Sequence, residues 1–500
     1  MNRRAKITVL CFGMVCLFLV SLAGTARTYG ETRVSVKEEL VTLLALPADK
    51  IDLTETLLLI SRHWDPKLDA GSLKGTLDRL EESARRQLKD HPSPKETVEI
   101  LRRVIHQEGG YRYTEQLDPQ GIPLNPAELF LHGLLQTRRG YCMNLSLLYL
   151  ILGERLNLPL YGVPLPNHFF VRYESAEYRV NIEATEGGAA FPDSFYQQRF
   201  GVAPGSKYFM TGLNKKQTLG AYFSNVGLVL YRAARPQDAI FYLEQSAEIN
   251  PQSIDALNNL GNIYSDLQQR DKSINAYERA LKADPRNFST LFNLGLAYSQ
   301  ARNYKKGEEA LLQAAQINPG FSRTHEILAR IYMAQGKNAG ALLHFKILNR
   351  LQPGNLITQL NIGTLLMVMG QPDMALKIFL KMQRRHPESL EVNARIAELH
   401  YQLKEYPKAV VQYEYIIGRA PKSLQNYIQL GWVHYKMNRL DRAIEVTRRG
   451  LETATMPNRL SPLAQMNLGY FHVLSRKFEE AEQWYQKVLN TEDPGNTQAM

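Results

Sequence analysis

Prolines at 251, 285, 319, 353, 387 and 421 stand 34 residues apart, and this period governs the C-terminal half of the chain. Small residues keep the same step at Gly227, Gly261, Gly295, Ala329, Gly363, Ala397 and Gly431. Alanines follow at 239, 341, 375, 409 and 443, then the aromatics Tyr277, Phe345, Phe379 and Tyr413. A further unit carries Gly469, Ala481 and Tyr485 after a short insertion. A small residue on each of two helices lets them approach closely, aromatics fill the space between, and a proline that cannot continue a helix sets the turn into the next unit. One such unit leaves apolar surface open until a neighbour stacks on it, so the array is expected to be one continuous superhelix.

This period and residue order resemble the tetratricopeptide repeat. The resemblance implies an all-α solenoid of about eight repeats over residues 220–500 that binds a protein or peptide partner. Asn225, Asn259, Asn293, Asn361 and Asn467 recur just ahead of the small residue, where the family commonly places a structural asparagine. The family's ligand-facing positions vary here and name no partner.

A chain of 500 residues exceeds a single core and is expected to divide. With 44% hydrophobic and 22% charged residues it reads as globular. The net charge of +11 is spread among acidic residues, and no basic stripe with interleaved aromatics appears, so nucleic acid is not an expected partner. Asn2-Arg3-Arg4-Ala5-Lys6, the uncharged run Ile7 to Ala23 and the small residues Gly24-Thr25-Ala26 read as an export signal over 1–26. If uncleaved, that run is a membrane anchor. The expected location is the periplasm or cell envelope. Cys11 and Cys16 lie within the signal, which leaves Cys142 as the one thiol of the mature chain. An odd cysteine in an exported protein is either a reactive group or a small buried hydrophobe.

Its surroundings favour reactivity. Helical patterning near Val36–Leu46, Leu53–His63, Leu73–Leu88 and Lys95–His106 gives way after Gly110 to turns, one strong helix and short alternating segments. Arg139-Gly140-Tyr141-Cys142 opens that helix, which runs to about Leu156, with Asn157 able to close it. A cysteine there faces unpaired N–H groups and the positive end of the dipole, a setting that favours a thiolate nucleophile. Downstream, Pro166-Asn167-His168-Phe169-Phe170-Val171-Arg172-Tyr173 and Tyr178-Arg179-Val180-Asn181-Ile182-Glu183 alternate as two strands. A hairpin turning about Ser175-Ala176 sets His168 directly across from Glu183 on one face, close enough for the acid to orient the ring.

Gly-x-Cys opening a helix, a histidine starting one strand and an acid ending the next resemble the transglutaminase-like, papain-fold core. Leu-Ser-Leu-Leu-Tyr-Leu, Pro-Asn-His-Phe and Asn-Ile-Glu-Ala-Thr-Glu-Gly-Gly are similar to a bacterial branch in which that core precedes tetratricopeptide repeats. The resemblance implies an α+β domain over residues 35–215 with Cys142 as nucleophile, His168 as base and Glu183 as orienting acid. The wider superfamily uses aspartate for that acid, which leaves Asn181 as a rival. Acyl transfer through a thioester needs no cofactor, and neither metal-ligand spacing nor a glycine-rich phosphate loop is present. The competing expectation is a non-catalytic envelope scaffold that assembles partners through the repeats.

Overall fold

The structure is a computed structural model that describes residues 36–88, 92–116, 123–202, 208–455 and 458–491. The expected export signal, with Cys11 and Cys16, lies outside the described residues. Among the described residues no helix is long and apolar enough to cross a membrane. The chain divides into two compact units between Thr290 and Leu291, a boundary that falls inside the repeat array.

The first unit begins with helices α1 (36–44), α2 (Leu53–Trp64), α3 (Ala70–Gln87) and α4 (Pro94–Arg102). Local chemistry sets their starts. The side chains of Asp52 and Asp69 accept first-turn N–H groups of α2 and α3, and Ser93 with Glu96 forms a reciprocal capping box on α4 with Pro94 at its first position. Strands β1 (Arg112–Tyr113) and β2 (Arg139–Gly140) pair in parallel and flank α5 (Leu131–Thr137). Helix α6 (Cys142–Arg155) follows at once, and Asn157 closes it at φ +55°. It is buried almost all round, because it fills the centre of the domain.

An antiparallel sheet of order β3-β4-β5-β6 lies against α6. Its strands are Leu160–Leu165, His168–Glu174, Arg179–Glu183 and Ala189–Ala190. One face, with Phe169, Val171, Tyr173 and Ile182, joins the main core. The other, with Val163, Leu165 and Phe170, packs against Tyr196 of α7 (Asp193–Phe200). The β4–β5 register differs from the expected one. Val171 pairs with Ile182 and Arg172 with Asn181, so the strands are offset by two residues and the turn is centred on Ala176-Glu177. An offset of two preserves which residues share a face, so the alternation is unaffected.

Helices then pair: α8 (Lys215–Arg232) with α9 (Pro236–Ile249), and α10 (Ile254–Asp266) with α11 (Arg270–Ala283). These first two pairs share one hydrophobic core with the front domain, running from Val36 to Ala280. A polar cluster also ties them to it. Asp238 of α9 binds Lys37 at 2.7 Å and Arg235 at 2.8 Å, with His63 Nε2 3.7 Å away. Burial opposes the charge on Asp238, but the bonds to Lys37 and Arg235 outweigh it and hold the carboxyl below its usual range. Asp238→Ala would leave these cations half-desolvated without their counter-charge. It should destabilise the fold by about 3 kcal/mol, read as a lower midpoint in urea unfolding.

The second unit continues the array through Phe478–Thr491, and the whole comprises eight helical pairs among the described residues. Within each pair, the small residues do what their spacing implies. A Cβ on Gly261 would sit 2.3 Å from the Tyr277 ring, and one on Gly363 2.4 Å from Phe379. The alanines at 239, 341, 375, 409 and 443 are fully buried between the paired helices.

Candidate functional site

Cys142 is the first residue of α6, so its sulfur stands at the helix tip. That tip is held from two sides. Asn144 accepts a hydrogen bond from the Tyr141 N–H at 2.7 Å and donates to the Glu128 carbonyl. The β1–β2 pairing brings Tyr113 beside Tyr141, their rings stacked with centroids 6.3 Å apart. The Cys142 side chain is buried at 5% exposure, but it borders two cavities and is not sealed in the core.

His168 follows the two-residue Pro166-Asn167 turn, where Asn167 takes the left-handed conformation that lets β4 fold back on β3. Its Nε2 lies 2.8 Å from Glu183 Oε2, and its ring stacks on Phe200 of α7 at 4.8 Å with the planes 6° apart. Burial opposes protonation of the ring. The hydrogen bonds to the Cys142 sulfur and to Glu183, together with their charges, outweigh it and raise the pKa to about 10.

Glu183 ends β5 and is only 3% exposed. Its second oxygen accepts from the Thr185 N–H at 3.1 Å and the Thr185 hydroxyl at 2.6 Å. Burial disfavours the carboxylate, yet the bonds to His168 and Thr185 prevail and lower its pKa. The register explains why a glutamate stands here. Extended past the ladder, it sets residue 185 opposite His168 and makes Glu183 a diagonal neighbour, a separation of roughly 7 Å that a long side chain spans. The rival Asn181 is engaged elsewhere. It accepts from Arg172 Nε at 2.8 Å and donates to Asp193 at 2.7 Å and to the Phe191 carbonyl at 3.0 Å. Buried Arg172 also donates to the Met210 carbonyl and to Asp193, tying α7, and so Phe200, to the sheet.

The structure thus brings Cys142, His168 and Glu183 together. A model of the transglutaminase-like superfamily matches residues 72–201, and tetratricopeptide-repeat models match 261–301, 288–321, 360–423 and 428–497. The chain is a transglutaminase-like domain followed by tetratricopeptide repeats. A UPF0162 protein of Pasteurella multocida is 26% identical over 186 residues, which cover 36% of this chain and 68% of that protein. A second, of Pseudomonas aeruginosa, is 30% identical over 126 residues, 25% of this chain and 44% of its own. Among solved structures, a tetratricopeptide repeat protein from Parabacteroides merdae covers 53% of this chain and 98% of its own at 14% identity and a TM-score of 0.33.

Two cavities open from the transglutaminase-like domain's thiol and share Tyr141, Cys142, Asn167 and His168. One, of about 220 Å³, lies toward Tyr113, Thr185 and α7 with Arg199 and Phe200. The other, of about 300 Å³, lies toward the first two repeats. Sequence reasoning did not place Tyr113, Thr185, Phe200 or any repeat residue here. Only Tyr141, beside the cysteine, and Thr185, in the Asn-Ile-Glu-Ala-Thr run, carried a local signal.

Proposed function

We propose that this protein is an exported cysteine acyl-transfer enzyme of the peptidase, amidase or transglutaminase type, whose repeats bind protein or peptide. The observation that carries the proposal is that Cys142, His168 and Glu183 line one cavity, with the His168 ring 2.8 Å from the Glu183 carboxylate. In this reading, thiolate sulfur attacks an amide carbonyl, the new C–S bond forms, and the C–N bond breaks as His168 protonates the departing amine. Water or a second amine then attacks the thioester, gives its proton to His168 and releases Cys142. The Cys142 N–H, at the helix tip, is one donor to the transient oxyanion.

The experiment is labelling with iodoacetamide at pH 6. Wild type should label at Cys142 and His168→Ala should label about tenfold more slowly, since the ion-pair partner is gone. Equal rates in the two proteins would remove the nucleophile from the proposal. The second reading, a non-catalytic scaffold, is favoured by the burial of Cys142 and predicts that Cys142→Ala leaves cellular function intact. Export rests on residues 1–26. An alkaline phosphatase fused after residue 35 should be active, and an inactive fusion would refute export.

A further inference from the structure

The 300 Å³ cavity over Cys142 has a second wall that belongs to the repeats. Helix α8 supplies Asn225, and α10 supplies Asp255, Asn258 and Asn259. Asn225 and Asn259 occupy equivalent positions in successive repeats, where the family's asparagine is commonly structural. Here both are half-buried, and neither carboxamide has a hydrogen-bond partner among the described residues. A carboxamide offers one acceptor and two donors, the complement of a peptide unit's N–H and C=O. Asn258 is held by the Thr290 hydroxyl at 2.9 Å, which accounts for its oxygen and leaves its amide donors.

Asp255 differs from the other acids of the array. It is open to solvent, yet enclosed closely enough that desolvation raises its carboxyl, and no ion pair or hydrogen bond meets it among the described residues. Arg232 lines the same cavity, so its wall carries both signs of charge. Its volume lies at the small end of the roughly 300–1,000 Å³ of ligand pockets and fits a short stretch of chain.

We infer that this cavity holds an extended polypeptide segment, its backbone hydrogen-bonded by Asn225 and Asn259 and one basic side chain paired with Asp255. The first two repeats are then the substrate-selecting wall of the thiol site rather than a separate adaptor surface. The inference takes the chemistry at Cys142 from the reading above, but the binding it describes does not require the thiol.

The test therefore uses the full-length Cys142→Ala protein. Fluorescein-labelled octapeptides of alanine and serine, each with lysine, alanine or glutamate scanned through every position, are titrated by fluorescence polarisation. At one position, lysine should bind about tenfold tighter than glutamate, the worth of one charge-assisted hydrogen bond. Asp255→Asn should erase that preference and Asp255→Lys should reverse it. Asn225→Ala with Asn259→Ala should weaken lysine and glutamate peptides alike by about tenfold. Absence of binding, or a lysine preference that survives Asp255→Asn, would overturn the inference. Loss of wild-type iodoacetamide labelling would instead count against the nucleophile alone.

Discussion

Replacing Glu183 by glutamine should lower the reactivity of Cys142 toward acylating and alkylating probes by about a hundredfold at pH 6, with the fold intact. Glutamine keeps the shape but not the charge. One oxygen of Glu183 meets the His168 ring and the other meets two donors from Thr185. A carboxamide has a single oxygen, so its NH₂ must confront either the Thr185 donors or the ring N–H. The imidazolium then loses its counter-charge. The pH profile separates this from simple misfolding. His168 gives up its proton only as pH rises through about 10, and Glu183 keeps its charge to below the usual carboxylate value. The gap in labelling rate between wild type and variant should therefore persist across neutral pH and close as pH rises through about 10, where the ring gives up its charge.

The same two shifts act on stability with opposite signs. A ring whose pKa is raised in the folded state stabilises it fully below the ordinary value of 6.5, and that contribution fades as pH climbs through about 10. A carboxyl whose pKa is lowered stabilises above its ordinary 4.5, and that is lost on acidification. The melting temperature of wild type should exceed that of Glu183→Gln most between these two ordinary values. A constant difference across pH would mean that the ion pair contributes nothing to the fold.

Gly133→Ala should be among the most damaging single substitutions in the chain. A Cβ at this position in α5 would lie 2.0 Å from the Ala127 carbonyl oxygen and 2.3 Å from its carbon. These are backbone atoms of the short 3-10 turn Pro126–Leu129, which has no rotamer through which to withdraw. Either the turn or α5 must move, at a cost of about 4 kcal/mol, more than ordinary overpacking. The damage should also reach the thiol. The turn carries the Glu128 carbonyl that receives Asn144, and Leu129, which lines the larger cavity. Urea unfolding and iodoacetamide labelling should fall together. A variant with unchanged stability would show that the turn yields easily.

The repeats were legible because their packing is local. Each glycine meets a side chain 16 residues on in its own unit, as Gly261 meets Tyr277, so the period survives in the bare sequence. The thiol, ring and acid were legible for a related reason: a helix start and two alternating strands place them without knowledge of the rest. Register was not. Alternation reports only parity, and an offset of two residues leaves every side chain on its expected face. The true pairing shows only in the folded chain, and with it the reason that a glutamate reaches the His168 ring where an aspartate would fall short. The Arg172–Asn181–Asp193 network, which withdraws Asn181 from the ring, joins residues from β4, β5 and α7 and has no sequence signature. The same holds for Asn225, Asn259 and Asp255. Their repeat positions were visible, but the surface they face comes from tertiary packing.

The core that runs unbroken from Val36 to Ala280 limits how such a gene can be cut or recombined. Severing the chain near residue 215 would strip Tyr222, Phe223 and Tyr242 from a shared interior and expose it to water. Exchange of binding specificity by swapping solenoids should therefore succeed only at joints beyond the second repeat. The first two repeats would then be inherited with the thiol domain, while the later ones remain free to diversify.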